Sequence, residues 1–239
     1  MQKIVCLHTA ESNVQVFDDA LRRSGLIGVE LRHAVRADLL AAAEQAGGLT
    51  PVISGQTSQV MRELCNGANA VLLTCSTLGP AAEAAARIAA VPILRVDAAL
   101  AADAVKDGGS VAVLCAVETT VEPTRLLFER EAWATGARVI VHLVPGAWDV
   151  FKAGNRDLYL GMIARAADDA VGAGAIQVAL AQASMADAAD LVTSRPRPLT
   201  SPTVGLMAAF KAASLVERVA VSFQVGTAGT VARLGVTLR

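Results

Sequence analysis

The sequence predicts an α/β protein of two similar lobes, each a parallel sheet flanked by helices, related by internal duplication. Three observations carry this prediction. Short apolar runs alternate with helical stretches along the 239 residues, the order that yields parallel strands joined by crossover helices. The same landmarks return about 107 residues later, the mark of a repeated unit. Large rings are scarce, at 3% of residues against 54% hydrophobic. The core is therefore built from Ala, Val and Leu, which suits close-packed layers of helix and strand.

The elements follow in order. Lys3–Leu7 reads as a strand ending at His8. Ser12-Asn13-Val14-Gln15 has the Ser-x-x-Gln form of a capping box and opens a helix to about Ser24. Gly28–Arg32 reads as a strand, and Arg36–Ala46 and Val52–Asn66 as helices broken by Gly47-Gly48. Val71–Leu73 is the end of a buried strand, and a helix follows from about Pro80. A short strand at Pro92–Leu94 and a helix over Asp97–Lys106 complete the unit, which Asp107-Gly108-Gly109 punctuates. The pattern then restarts with a strand at Val111–Cys115 and a second capping box, Thr119-Thr120-Val121-Glu122.

Ser12 and Thr119 stand 107 residues apart, as do Glu11 and Glu118. The same offset carries Cys75 to Gln182, within Val178-Ala179-Leu180-Ala181-Gln182-Ala183-Ser184-Met185, another apolar strand running into a helix start. Pro92-Ile93-Leu94 meets Pro198-Leu199-Thr200 at 106. The expected division is residues 1–97 plus 203–239 as the first lobe and 98–202 as the second, with the active site in the crevice between them. Ligand would bind there at the carboxyl ends of the strands. Residues after about Ala213 lie beyond the repeat, and Val219–Val225 is a candidate for one extra strand.

The functional centre is Val71-Leu72-Leu73-Thr74-Cys75-Ser76-Thr77-Leu78-Gly79-Pro80. A strand end feeding a helix N-terminus leaves backbone N–H groups free for an anion such as a carboxylate. A thiol beside such a site makes a reaction centre. By the repeat, Cys75 and Gln182 face one crevice from opposite lobes. Asn13 and Thr120, again 107 apart, follow the first strand of each lobe and line the same crevice.

Composition excludes several classes. The net charge is −1, and no run of Lys or Arg suggests nucleic acid as a partner. No apolar run reaches the roughly 18 residues that span a bilayer. The first strand begins almost at the start of the chain, which leaves no room for a signal peptide, and a soluble cytoplasmic protein is expected. Cys6, Cys65, Cys75 and Cys115 show no Cys-x-x-Cys spacing, so neither a zinc site nor a disulfide framework is indicated.

At these residues the chain resembles the aspartate/glutamate racemase superfamily, which includes glutamate, aspartate and hydantoin racemases. Cys75-Ser76-Thr77 is similar to the family's first cysteine motif, and Leu180–Met185 is similar to the second. His8-Thr9 falls where glutamate racemases carry Asp-Ser, and Thr120 matches a threonine after the strand that opens the second lobe. The resemblance covers roughly residues 3–212. It implies a two-lobed fold, cofactor-independent proton transfer next to a carboxylate, a small-molecule carboxylate substrate and a homo-oligomer. There is one departure: the second cysteine is replaced by Gln182.

The family pairs a thiolate with a thiol on opposite faces of the α-carbon. Cys75 can fill one of these roles. An amide neither gives nor takes a proton near neutral pH, so Gln182 is expected to hold a carboxylate or carbonyl instead. One-sided chemistry remains: racemisation or isomerisation through Cys75, protonation of a carbanion left by loss of carbon dioxide, or covalent attack on an unsaturated acid. The arylmalonate decarboxylase branch also works with one cysteine, although there the other lobe's cysteine survives. A further alternative is a carboxylate-binding protein without catalysis. His8 is the expected second acid/base group, with Glu11 and Glu118 behind it. Backbone N–H groups and hydroxyls at Ser76, Thr77, Ala183 and Ser184 are the expected carboxylate binders. Cys6, Cys65 and Cys115 read as packing residues, and His33 and His142 as surface strand ends. The segment holding Trp148, Phe151 and Tyr159 reads either as a lid or as an aromatic anchor.

Overall fold

The computed structural model describes the backbone of residues 1–231 and the side chains of residues 1–216; residues 232–239 lie outside the described residues. The expected strand at 219–225 does not form: these residues continue the last helix, Ser201–Val231. Two four-stranded parallel sheets form the frame, with the same topology in each. In the first, β1 (Gln2–His8) lies between β2 (Val29–Val35) and β3 (Ala70–Leu73), and β4 (Ile93–Arg95) joins β3. In the second, β5 (Ser110–Cys115) lies between β6 (Arg138–Leu143) and β7 (Gln177–Leu180), and β8 (Leu199–Thr200) joins β7. The duplication is thus carried into strand order.

Helices cover both faces of each sheet, which is why Ile4–Leu7 of β1 and Val111–Cys115 of β5 are apolar without alternation. Side chains alternate along β1. Ile4 and Cys6 enter a core with Phe17 of α1 (Ser12–Ser24) and Leu206 of α9 (Ser201–Val231). Val5 and Leu7 enter another with α2 (Ala37–Gln45), α3 (Pro51–Leu64) and α4 (Gly79–Ala86). In the second lobe Val111 and Val113 face α5 (Val96–Val105) and α6 (Glu118–Ala132). Ala112 and Leu114 face Tyr159 and Ile163 of α8 (Arg156–Gly172). The short helix α7 (Ala147–Lys152) precedes α8, and a 3-10 helix (Ala183–Asp190) follows β7. Helix α9 packs on α1, β1 and β3 of the first sheet, and also on α5. Gly205 permits that last contact, because a Cβ there would stand 2.5 Å from Val96.

Neither expected capping box forms. Helix α1 starts at Ser12 itself, with Glu11 in the cap position and no side-chain cap bond. Helix α6 starts at Glu118 after Val117. The residues meant for capping are used elsewhere: Gln15 bonds Asp19, Glu122 pairs with Arg125, and Thr119 bonds Thr77 of the first lobe. No helix among the described residues is long and apolar enough to cross a membrane.

Candidate active site

The two central strand ends meet across a small cavity. Cys75 lies two residues past β3 and Gln182 two residues past β7, and both line a cavity of about 30 Å³ together with Thr9, Asn13, Trp148 and Phe151. That volume holds one or two water molecules, far below the roughly 300 Å³ at which small-ligand sites begin. The lobes are therefore closed on each other. Two larger hollows flank the cavity. One of about 350 Å³ shares Trp148, and one of about 580 Å³ shares Phe151 and Ser184.

Cys75 is 8% exposed. Burial raises its thiol pKa above the ordinary value, and the nearby Asp97 carboxylate adds to this. The Thr9 hydroxyl and the backbone N–H groups of Leu78 and Thr77 act against burial by hydrogen bonding the sulfur. The balance leaves a resting thiol with donors already in place for a thiolate. The loop after Cys75 is held from below. Arg95 donates to both oxygens of Asp97, at 2.7 and 2.9 Å, and to Glu83 at 2.9 Å. Gly79 lies against that guanidinium so closely that a Cβ would stand 2.4 Å from its carbon. The glycine of the motif thus serves packing as well as the turn.

On the other side, Gln182 Oε1 accepts from the backbone N–H groups of Ala116 (2.6 Å) and Val117 (3.1 Å). Backbone N–H groups only donate, so the amide orientation is decided and the NH₂ end is left for the cavity. Asn13 is also buried at the cavity wall, and its Oδ1 has no hydrogen-bond partner. Ala183 also lines the cavity.

The expected hydroxyl binders hold the protein together. Ser76 Oγ donates to the Ala181 carbonyl across the lobes at 3.2 Å. Thr77 Oγ1 lies 2.9 Å from Thr120 Oγ1 and 3.2 Å from Thr119 Oγ1. Ser184 Oγ bonds the Tyr159 hydroxyl at 2.8 Å. Ser76, Thr77, Thr120 and Ser184 line the cavity, but their hydroxyl groups are engaged with the protein.

His8 does not reach the cavity. Its ring is fully buried, with Nδ1 2.8 Å from Thr74 Oγ1 and Nε2 2.9 Å from Nδ1 of His33. Burial, then the neighbouring His33, lowers its pKa to about 3. With both nitrogens committed it cannot take a substrate proton, which corrects the expectation drawn from its place at the strand end. His33 is likewise no surface strand end but lies mid-strand, half-buried. Glu11 lines the larger hollow and Glu118 the smaller, neither the cavity itself.

Trp148 bridges the lobes. It belongs to α7 of the second lobe yet packs against the core of the first, and its Nε1–H donates to Glu44 of α2 at 2.6 Å. It stacks on Phe151, ring centroids 4.9 Å apart. No local pattern announces a contact between residues 44 and 148, because it exists only once the lobes face each other.

No protein-family model matches the chain, and no curated protein matches it in sequence. Solved structures do. An allantoin racemase from Klebsiella pneumoniae is 16% identical over 92% of this chain and 88% of that one, with a TM-score of 0.59. An aspartate racemase from Picrophilus torridus is 12% identical over 90% and 95%, with a TM-score of 0.66. Glutamate racemase from Thermus thermophilus, in complex with beta-chloro-D-alanine, is 17% identical over 93% and 82%, with a TM-score of 0.59. Duplicated parallel sheets, a cavity between their strand ends and these likenesses agree: the chain has the two-lobed fold of the aspartate/glutamate racemase superfamily.

Proposed function

We propose that the protein is a cofactor-independent enzyme of the racemase/isomerase type, acting at the carbon next to a carboxylate or carbonyl of a small acid. The observation that carries this reading is the placement of Cys75: a thiol at a strand end, met by three hydrogen-bond donors, in a cavity closed by both lobes. With substrate bound, the Cys75 thiolate removes the α-proton and the C–H electron pair moves into the adjacent carbonyl. The enolate oxygen so formed receives hydrogen bonds from the Gln182 NH₂ group, an oxyanion-stabilising role that needs no titratable side chain. The planar intermediate then turns in the cavity, and the Cys75 thiol returns the proton to its opposite face, which gives the other enantiomer. Asn13 is the second polar group available to the substrate, since Ser76, Thr77, Thr120 and Ser184 are engaged with the protein.

A second reading is favoured by the raised thiol pKa. A resting thiol opposite an amide is equipped to donate one proton from one face. In a 2-substituted malonate, the bond to one carboxyl group breaks, carbon dioxide leaves, and its electron pair forms the same enolate. Cys75 protonates the carbon and recovers its proton from water.

Proton NMR in deuterium oxide tests both readings with amino acids, hydantoins, 2-substituted malonates and maleate. Deuterium entering at the α-carbon is expected, and Cys75→Ala lowers its rate by about 10²–10⁴-fold. Racemised product marks the first reading and carbon dioxide release the second. Full activity in Cys75→Ala overturns both. Ligand shifts without turnover of any compound leave a carboxylate-binding protein.

A further inference from the structure

Behind the first sheet, away from the cavity, lies a second group of reactive side chains. Cys6 and His8 are two residues apart on β1 and so share one face, and the strand register sets His33 of β2 directly beside Cys6. Helix α1 covers this face and brings Asp18 to it. Cys6 Sγ and one ring nitrogen each from His8 and His33 lie within 4.8 Å of one another.

Hydrogen bonds orient both rings. Thr74 Oγ1 donates to the Leu7 carbonyl at 3.1 Å, so it accepts from His8 Nδ1–H at 2.8 Å. Asp18 accepts from His33 Nε2–H at 3.3 Å. A neutral imidazole carries one N–H. The inner nitrogens, His8 Nε2 and His33 Nδ1, therefore turn lone pairs toward each other across 2.9 Å. A proton or a metal ion held between them satisfies both lone pairs at once. Outer nitrogens bonded to a carboxylate or hydroxyl, with inner nitrogens left as ligands, is the arrangement typical of metal-binding histidines.

We propose that Cys6, His8 and His33 form a binding site for a zinc-class divalent cation, with Asp18 and Thr74 holding the imidazoles. Bonds of about 2.3 Å to sulfur and 2.0–2.1 Å to nitrogen, at tetrahedral angles, separate donors by roughly 3.5 Å. From 2.9 Å the two nitrogens part by about 0.6 Å, and no other pair of donors has to close by more than about 1.3 Å to reach this. Binding displaces the Cys6 thiol proton and the proton shared by the two rings, both to solvent. Two positive charges leave as one dication arrives, so the local charge is unchanged. Three protein donors leave the fourth position to water. Bound metal would tie edge strand β2 to β1.

The test uses the full chain, stripped with a chelator and then titrated with Zn²⁺ against a chromophoric competitor, with Co²⁺ as spectroscopic probe. One equivalent is expected, with release of two protons and a thiolate-to-cobalt charge-transfer band. Cys6→Ser abolishes that band, whereas Cys75→Ser keeps it. Asp18→Asn weakens binding by about 10–100-fold. His33 sits on an edge strand with its side chain 16% exposed, so His33→Gln is the variant that keeps the fold should Cys6→Ser lose it; it weakens binding more than Asp18→Asn does. Absence of binding, a cobalt spectrum without the thiolate band, or affinity unchanged in His33→Gln overturns the proposal.

Discussion

The first lobe and the second lobe end their third strands alike and use the ends differently. In each, the segment after the first strand secures the residue two places past the third. Thr9 hydrogen bonds Cys75 in one, and Ala116 and Val117, which stand 107 residues after Thr9 and Ala10, bond Gln182 in the other. At Cys75 the donors serve a group that can become an anion. At Gln182 they consume the amide oxygen and turn the NH₂ outward as a donor. One backbone device thus produces a proton-transfer group on one side and a hydrogen-bond donor on the other. A duplicated scaffold does not require a duplicated chemistry.

The largest expected effect that separates the two ends comes from Gln182→Glu. A carboxylate keeps the two backbone N–H bonds but removes the outward donor. On the proposed reading kcat falls by about 10²–10³-fold, with the folded state retained by circular dichroism. A change confined to KM would make Gln182 a ground-state binding group and break the comparison.

Next in size is Trp148→Phe, which keeps the stacked ring and deletes the Nε1–H bond to Glu44. A hydrogen bond to a charged group contributes about 1.5–3 kcal/mol, so Cys75 alkylation is expected to accelerate roughly 10-fold or more as the lobes part more readily. Cys65→Ser serves as the background, because Cys65 is the one half-buried cysteine. An unchanged rate would mean that the tryptophan does not latch the lobes.

The same assay reads the protonation state. Burial raises the Cys75 pKa, so the thiolate fraction near pH 7 is smaller than for an ordinary thiol, and alkylation climbs steadily through the alkaline range. Cys115, pushed to about 12 by burial, stays silent. Fast alkylation near neutral pH would show that the donors outweigh burial, and would favour the racemase reading over the decarboxylase one.

The smallest effect is expected from Thr77→Val. It leaves the shape intact and removes the hydroxyl bridge to Thr119 and Thr120, at a cost of about 1–3 kcal/mol, read by chemical denaturation. A raised KM with unchanged stability would return Thr77 to the substrate-binding role expected from sequence.

Element order, strand-end positions and the Cys75–Gln182 correspondence were legible because each depends on local hydrophobic period or on spacing along one chain. The capping boxes misled for a local reason: the helices start at Ser12 and Glu118, and Gln15, Thr119 and Glu122 found other partners. His8 misled for a tertiary one. A strand-end histidine looks available until the neighbouring strand supplies His33 and β3 leads into Thr74. The Cys6, His8 and His33 cluster has no zinc-like spacing, since pairing register rather than sequence separation puts its third member in place.

By itself, then, the chain determined the duplicated α/β architecture, the thiol at one strand end and the amide at the other. These are properties of residue type and spacing. Tertiary structure alone decided which polar groups remain free. Gln182 turns its NH₂ toward the cavity, outward from its own lobe, because two backbone N–H groups claim its oxygen, and Asn13 keeps an unpaired oxygen while Ser76 and Thr77 spend their hydroxyls between the lobes. Hydrogen bonds are saturable and reach across the fold, so a side chain's availability is settled by its neighbours in space.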